Sequence, residues 1–146
     1  TNNYRLNLAK NLGATKTINV KNYSITDCYK ELNITNGFDI GLEMSGNSHA
    51  FNDLIKNMYN GGKVALLGLL PKSTQINWDD VIFKGLNIKG IYGREMFETW
   101  YKMTQMILSG LDISGVLTHK FSIDDYKTAF EVIQSGKCGK VVLLWK

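Results

Sequence analysis

Apolar residues recur along this chain in two patterns: short continuous runs typical of strands, and helical spacings that separate the runs. The runs predict strands over Thr15 to Val20, Phe38 to Met44, Lys63 to Leu69 and Leu86 to Tyr92. The spacings predict helices over Asn3 to Leu12, Ile25 to Leu32, Ala50 to Met58, Asp79 to Lys84 and Glu95 to Leu108. Such alternation of strand and helix is typical of a parallel sheet with right-handed crossovers. We therefore predict an α/β fold.

The pattern changes after Gly110, where the regular alternation stops. The tail is predicted to contain an extended segment, a helix behind a capping pair (Ser122 and Asp125) and a last strand, over Gly115 to Phe121, Ile123 to Gln134 and Val141 to Trp145. We expect this tail to pack apart from the parallel sheet. Residues 108–113 form the only plausible seam, which predicts two structural units, residues 1–109 and 110–146.

Glycines follow three of the predicted strands. Ser45-Gly46 follows the run that ends at Met44, Gly68 follows the run that ends at Leu67, and Gly93 follows the run that ends at Tyr92. Ligands of open parallel sheets bind beyond the carboxyl ends of the strands, and glycines there let a flat ligand approach the backbone. A tight turn explains any one of these glycines, whereas three at corresponding positions favour a ligand site at this edge of the sheet.

The stretch from Gly90 to Met103 joins the last of these strands to an aromatic-rich helix that we predict to begin at Glu95. Arg94 would then lie beside a helix N-terminus, a position that suits anionic ligands. A surface or capping role explains Arg94 equally simply. The aromatic residues of the helix are most simply core or subunit-interface residues: Phe97, Trp100 and Tyr101.

Composition and spacing argue against several other functions. The net charge of +4 comes from lysines scattered along the chain, without the basic stripe of a nucleic-acid-binding domain. Cys28 and Cys138 form no CxxC pair, which favours reduced thiols in a cytosolic protein. His49 and His119 have no ligand at metal-binding spacing, and no apolar run approaches the ~18 residues of a membrane span. The Gly-x-Gly-x-x-Gly turn of dinucleotide-binding folds is absent from the sequence.

Several runs together resemble a known family: Tyr4-Arg5-Leu6, Leu42-Glu43-Met44-Ser45-Gly46, Leu67-Gly68-Leu69, Val81 to Gly85, Ile88 to Tyr101, Phe121 to Asp125 and Gly139-Lys140-Val141-Val142. They are similar to the bacterial L-threonine 3-dehydrogenases, zinc-dependent medium-chain NAD dehydrogenases. The long run through Tyr101 is specific to this family, whereas Glu-x-Ser-Gly and Leu-Gly-x are shared more widely. The resemblance covers all 146 residues as the C-terminal part of a longer enzyme.

The resemblance implies oxidation of L-threonine to 2-amino-3-oxobutanoate, with hydride transfer to NAD and a zinc ion that polarises the substrate hydroxyl. It places the zinc ligands and the proton relay upstream of Thr1. It further implies a cytoplasmic homotetramer, with residues 1–109 as part of the NAD-binding Rossmann domain and residues 110–146 as a C-terminal segment of the catalytic domain. We expect the 146 residues alone to be inactive.

By the same resemblance, half of a cofactor site carries over to this chain. Arg5 is expected to contact the adenosine ribose, Leu67, Gly68 and Leu69 to line the nicotinamide half, and Ile91 and Tyr92 to offer backbone contacts to the carboxamide. Considered alone, Arg5 could equally accommodate the 2′-phosphate of NADP. The choice of NAD therefore comes from the resemblance.

The strand order of a dinucleotide fold, 3-2-1-4-5-6, has a structural consequence. The chain would supply strands 3 to 6 of an incomplete Rossmann-type parallel sheet and lack the central strands 1 and 2. Unpaired buried backbone groups are costly, so we predict that these residues are stable only when paired with the missing segment or with another chain.

Two alternative functions remain open from the sequence. The first keeps the zinc-dependent family and changes the substrate to a polyol or a secondary alcohol. The second is a non-catalytic oligomerisation module formed by the aromatic helix and the tail from Gly115 to Trp145.

Overall fold

The structure, a computed structural model, describes all 146 residues and has an α/β fold. The helices are α1 (Asn3–Asn11), α2 (Ser48–Lys56), α3 (Trp78–Phe83), α4 (Glu98–Leu108) and α5 (Tyr126–Ser135). The strands are β1 (Phe38–Glu43), β2 (Met58–Leu66), β3 (Asn87–Gly90), β4 (Leu117–Ser122) and β5 (Lys140–Leu144). Short 3₁₀ turns lie at Ile25–Cys28, Ser114–Val116 and Ile123–Asp125. The chain forms two compact units, one of residues 25–95 and one of residues 1–24 with 96–146.

In the unit of residues 25–95, β1, β2 and β3 form a parallel sheet in that order, as the alternation predicted. The core lies between the sheet and α2. Phe51 and Ile55 from the helix pack on Met58 and Val64 of β2, and all four side chains are buried. Because Phe51 and Ile55 are four residues apart, they lie on one face of α2, and that spacing holds the crossover helix against the sheet.

In the other unit, β4 and β5 form their own two-stranded parallel sheet, joined by α5. This agrees with the prediction that the tail packs apart from the first sheet. The start of α1 is tied to the segment before β5, because Asn2 Nδ2 donates to Gly136 O at 2.9 Å and Arg5 Nε donates to Cys138 O at 3.3 Å. The assignment of residues 1–109 and 110–146 to two different domains stays a prediction.

The predicted strand Thr15 to Val20 is wrong, since these residues belong to neither sheet. A strand is stable only when its backbone groups pair with a neighbour. In the strand order expected from the resemblance, this segment would pair with a strand that the chain does not contain. A β-branched composition alone cannot replace that partner.

The predicted helix Ile25 to Leu32 is reduced to a 3₁₀ turn at Ile25–Cys28, followed by further turns. The amide of Tyr29 donates to Thr26 O at 3.1 Å, the i to i−3 bond of a 3₁₀ turn, and Asn33 just beyond the predicted end is left-handed with φ of 53°. The predicted aromatic helix begins at Glu98, three residues later than predicted, because Phe97 has φ of 66°. Arg94 therefore does not lie in the first turn of that helix.

The strand boundaries also differ from the prediction. β2 begins at Met58 and includes Gly61 and Gly62, which lie in an irregular stretch of the pairing between β1 and β2. It ends at Leu66, so that residues 67–69 follow the strand. β3 ends at Gly90, which likewise places Ile91 and Tyr92 after the strand. None of the helices is both long and apolar enough to cross a bilayer.

Candidate functional site

The carboxyl ends of the three parallel strands lie side by side in the unit of residues 25–95. Glu43 at the end of β1 pairs in register with Leu66 at the end of β2, and Leu66 pairs with Gly90 at the end of β3. The segments that follow the three strands consequently leave from one edge of the sheet. The sequence predicted this arrangement from the glycines after each strand, and parallel pairing in register produces it.

Glu43 connects two of these strand ends through a buried carboxylate. The residue is only 3% exposed. Its Oε1 accepts hydrogen bonds from Ser45 N (2.9 Å), Ser45 Oγ (2.6 Å) and Gly46 N (3.0 Å), and Oε2 lies 3.2 Å from Gly46 N. The carboxylate therefore folds the chain after β1 back onto the strand end.

The backbone after β2 passes very close to this turn. A Cβ added to Gly68 would collide with Glu43 Oε2 and with Gly46 N, and a Cβ added to Gly46 would lie 2.7 Å from Leu69 O. The amides of Leu67 and Gly68 both donate to Glu43 O, at 2.9 and 3.1 Å. Position 68 therefore requires glycine, because the turn after β1 and the segment after β2 are in direct contact there.

Burial of Glu43 raises the pKa of its carboxyl group, but the hydrogen bonds from Ser45 and Gly46 act in the opposite direction and prevail. The pKa lies below its ordinary value of 4.5 as a result. Glu43 is thus ionised at neutral pH and acts only as a hydrogen-bond acceptor.

The side chains of the predicted nicotinamide-lining residues remain accessible. Leu69 is 93% exposed, Tyr92 is fully exposed, and Leu67 and Ile91 are each about two-fifths exposed. The amide of Ile91 donates to Leu66 O at 2.9 Å, so Ile91 would offer a ligand its carbonyl oxygen instead of its N–H. This edge can present backbone acceptors and apolar side chains to a flat, partly polar ligand.

Five of the six predicted cofactor-binding residues lie at this edge: Leu67, Gly68, Leu69, Ile91 and Tyr92. The sixth, Arg5, lies on α1 in the other unit, where its Nε donates to Cys138 O. His119 also belongs to that unit and its Nδ1 lies 2.9 Å from Thr118 Oγ1. His49 is in the first turn of α2.

Glu43 is not among the site residues predicted from the sequence, although it stands inside one of the runs that carry the resemblance. A usable signal was present. Glu43 is the last residue of β1, and Ser45 and Gly46 stand two and three residues further on, where their donors reach its carboxylate. Such local side-chain to backbone bonds are typical of turns that begin with an acidic residue.

No group of three or more His, Cys, Asp or Glu side chains in this chain is arranged to hold a metal ion. The chain's own residues therefore do not fit a zinc site.

Comparison with known proteins places the chain in a class. Residues 1–109 match the family model described as zinc-binding dehydrogenase. An alcohol dehydrogenase from Escherichia coli CFT073, described as short chain and solved with the cofactor NADH, matches with a TM-score of 0.81. It is 16% identical, over 99% of this chain and 42% of its own, and therefore shows the fold alone. On the family match, the chain belongs to the zinc-binding dehydrogenase family.

Within that family the chain is similar to particular enzymes. It is 55% identical to an L-threonine 3-dehydrogenase from Stenotrophomonas maltophilia and 57% identical to one from Pseudoalteromonas translucida. Each match extends over 144 residues, or 99% of this chain. The chain spans 42% of the length of these curated relatives.

Proposed function

We propose that this chain is the cofactor-binding part of an NAD-dependent L-threonine 3-dehydrogenase, which oxidises L-threonine to 2-amino-3-oxobutanoate. The observation that carries the proposal is the 55–57% identity to L-threonine 3-dehydrogenases over nearly the whole chain. Each match extends over 144 residues, or 99% of this chain.

The edge of the sheet in residues 25–95 fits one half of NAD. Gly68 lets the backbone after β2 pack directly against the turn at Gly46, since a side chain at that position would meet Glu43 Oε2 and Gly46 N. Leu67 and Leu69 offer apolar surface, and the Ile91 carbonyl is an acceptor suited to a carboxamide N–H₂. These residues would bind and orient the nicotinamide for hydride transfer. Tyr92 would contribute a further backbone contact to the carboxamide.

Arg5 is proposed to contact the adenosine ribose of NAD. Its side chain is exposed, and the bond from Nε to Cys138 O fixes the orientation of the guanidinium. NAD is preferred to NADP because the chain is similar to L-threonine 3-dehydrogenases, which the resemblance associates with NAD.

Zinc belongs to the whole enzyme in this proposal and not to these residues. As a Lewis acid it would lower the pKa of the substrate hydroxyl. Its ligands are proposed to lie in the part of the relatives' length that this chain does not span, because the resemblance places them outside these residues. In this proposal the chain binds the cofactor and holds its nicotinamide in position next to the substrate.

We also propose that the whole enzyme is a cytoplasmic homotetramer. Supporting this, α4 carries a series of exposed apolar side chains that would be covered in an assembly: Trp100, Tyr101, Met103, Met106, Ile107 and Leu108. Sedimentation of the enzyme with Trp100 and Tyr101 changed to Ala should show smaller species. An unchanged sedimentation coefficient would remove this helix from the interface.

The substrate is tested with the full-length protein that contains this chain. We expect NAD-dependent turnover of L-threonine with a kcat/KM at least about 100-fold above those for 2,3-butanediol and sorbitol, because one buried polar contact to the amino acid is worth that much. Higher turnover of butanediol or sorbitol would favour the polyol or secondary-alcohol alternative. Absence of NAD reduction with all three would reject the dehydrogenase function.

A second measurement concerns the 146 residues alone, which we expect to be inactive. Purified chain, mixed with NAD, zinc and L-threonine, should give no NADH absorbance above a protein-free control. Threonine-dependent NADH formation by the chain alone would show that it contains a complete active site.

A further inference from the structure

We propose that Glu43 is a positioning residue for NAD: its carboxylate holds the turn at Ser45 and Gly46 against Gly68 and thereby sets the backbone that receives the nicotinamide. This inference rests on the function proposed above. Glu43 itself is buried and has no role as a catalytic residue.

The geometry links Glu43 to the predicted cofactor contacts in two steps. First, three donors from Ser45 and Gly46 converge on Oε1 and fix the turn. Second, Oε2 and Gly46 N occupy the space above the Cα of Gly68, so the backbone of residue 68 can move toward them no further. The turn after β1 therefore acts as a fixed stop for the segment that lines the cofactor.

The contact is also close on the side of Gly46. A Cβ at Gly46 would lie 2.7 Å from Leu69 O and 3.3 Å from Leu69 N, so the backbone of Leu69 rests on the turn that Glu43 holds. Gly68 and Leu69 are thus both in contact with one small turn. A displacement of that turn would be transmitted directly to two of the proposed nicotinamide contacts.

A carboxylate suits this position better than an amide. Every close partner of Oε1 and Oε2 is a hydrogen-bond donor. A glutamine would replace one oxygen by an N–H₂ group, and this group would face either the donors of Ser45 and Gly46 or the Gly46 amide beside Gly68. Two donors facing each other in a buried place repel, so Glu43→Gln should push the turn away from Gly68.

The experiment uses the full-length enzyme and compares Glu43→Gln with Asp39→Asn, which removes the same charge from an exposed position of the same strand. We expect the KM for NAD and its Kd to rise about tenfold in Glu43→Gln, the equivalent of one hydrogen bond to a charged group. kcat and the KM for L-threonine should stay within about twofold, because the chemistry is not touched. Asp39→Asn should match the wild type in all four values.

Ser45→Ala provides a second variant in case Glu43→Gln does not fold. It removes the 2.6 Å donor from Oε1 and leaves the carboxylate and both backbone donors in place. The KM for NAD should rise about threefold, in the same direction as in Glu43→Gln and by less, as expected for the loss of one of several bonds.

The outcomes separate this inference from the proposed function. If the wild-type enzyme neither binds NAD nor oxidises L-threonine, the proposed function fails. If the wild type does both, and Glu43→Gln or Ser45→Ala lowers the melting temperature with the KM and Kd for NAD unchanged, then Glu43 is merely structural and the inference is overturned. A fall in kcat with an unchanged KM for NAD would also overturn it.

Discussion

At the scale of single residues, the ionised Glu43 makes the stability of this protein depend on pH. Its hydrogen bonds from Ser45 and Gly46 lower the pKa in the folded state, against the effect of burial. The folded state therefore favours the ionised carboxylate more than the unfolded state does. The resulting contribution to the free energy of unfolding is present above pH 4.5. It is lost as the pH falls through the pKa of Glu43 in the folded state.

We expect Glu43→Gln to be less stable than the wild type at neutral pH, and the difference in free energy of unfolding to shrink as the pH is lowered below 4.5. Urea unfolding at a series of pH values measures this difference directly. A difference that stays constant from neutral to acid pH would show that ionisation of Glu43 does not stabilise the fold.

Gly68 is the residue at which added volume should matter most. We expect Gly68→Ala to lower the free energy of unfolding by about 1–3 kcal/mol, because its Cβ would collide with the carboxylate and the turn. Gly90→Ala is the matched control, since nothing lies within 4 Å of a Cβ there and its effect should stay within about 0.5 kcal/mol. Equal losses in the two variants would contradict the close approach at Gly68.

At the scale of elements, α2 is held at its start by a side-chain cap. Asn47 Oδ1 accepts from His49 N at 2.9 Å and from Ala50 N at 3.1 Å, which satisfies two amides of the first turn. Asn77 holds the same position before the first residue of α3, and its side chain makes no such bond to the backbone. The two asparagines therefore occupy equivalent positions with different contacts.

We expect Asn47→Ala to cost about 1 kcal/mol in free energy of unfolding, within the usual range for a lost N-cap. Asn77→Ala should cost clearly less, because no backbone amide loses a partner. Chemical denaturation of both variants provides the comparison. An Asn77→Ala loss as large as that of Asn47→Ala would mean that the capping bond contributes little.

At the scale of the whole molecule, β1 presents an apolar face on the side of the sheet opposite α2. Ile40 and Leu42 alternate with the buried Gly41 and Glu43 and are more than half exposed, and Met44 continues the pattern. β1 is also an edge of its sheet. An exposed edge with apolar side chains is prone to pair with another chain.

We expect the isolated 146 residues to self-associate or to melt without a cooperative transition. Sedimentation and circular dichroism over a range of protein concentrations test this. Leu42→Lys should reduce association, whereas Ile82→Lys, at an exposed position of α3, should have a smaller effect. A cooperative transition of a monomer at dilute concentration would contradict the prediction.

The sequence alone determined the local and periodic features of this protein. Apolar runs located β1, β2 and β3 to within a few residues, except that β2 begins five residues before the predicted start, and the glycines after them located the edge where the strand ends meet. These predictions are correct because strand periodicity and turn formation depend on residues that are neighbours in the sequence. The family resemblance is likewise a property of the residue order, and the comparisons confirm it.

Only the tertiary structure decided what depends on contacts between distant segments. Thr15 to Val20 has strand composition but no partner, and no local pattern shows whether a partner exists. Phe97 with φ of 66° shortened the aromatic helix, although its neighbours favour helix. Glu43 illustrates the same limit: its position in the sequence suggests a turn, whereas its contact with Gly68, 25 residues away, follows from the parallel pairing of β1 and β2. The parallel pairing of β1 with β2 thus places Glu43, a residue of a local turn, against the segment that follows β2.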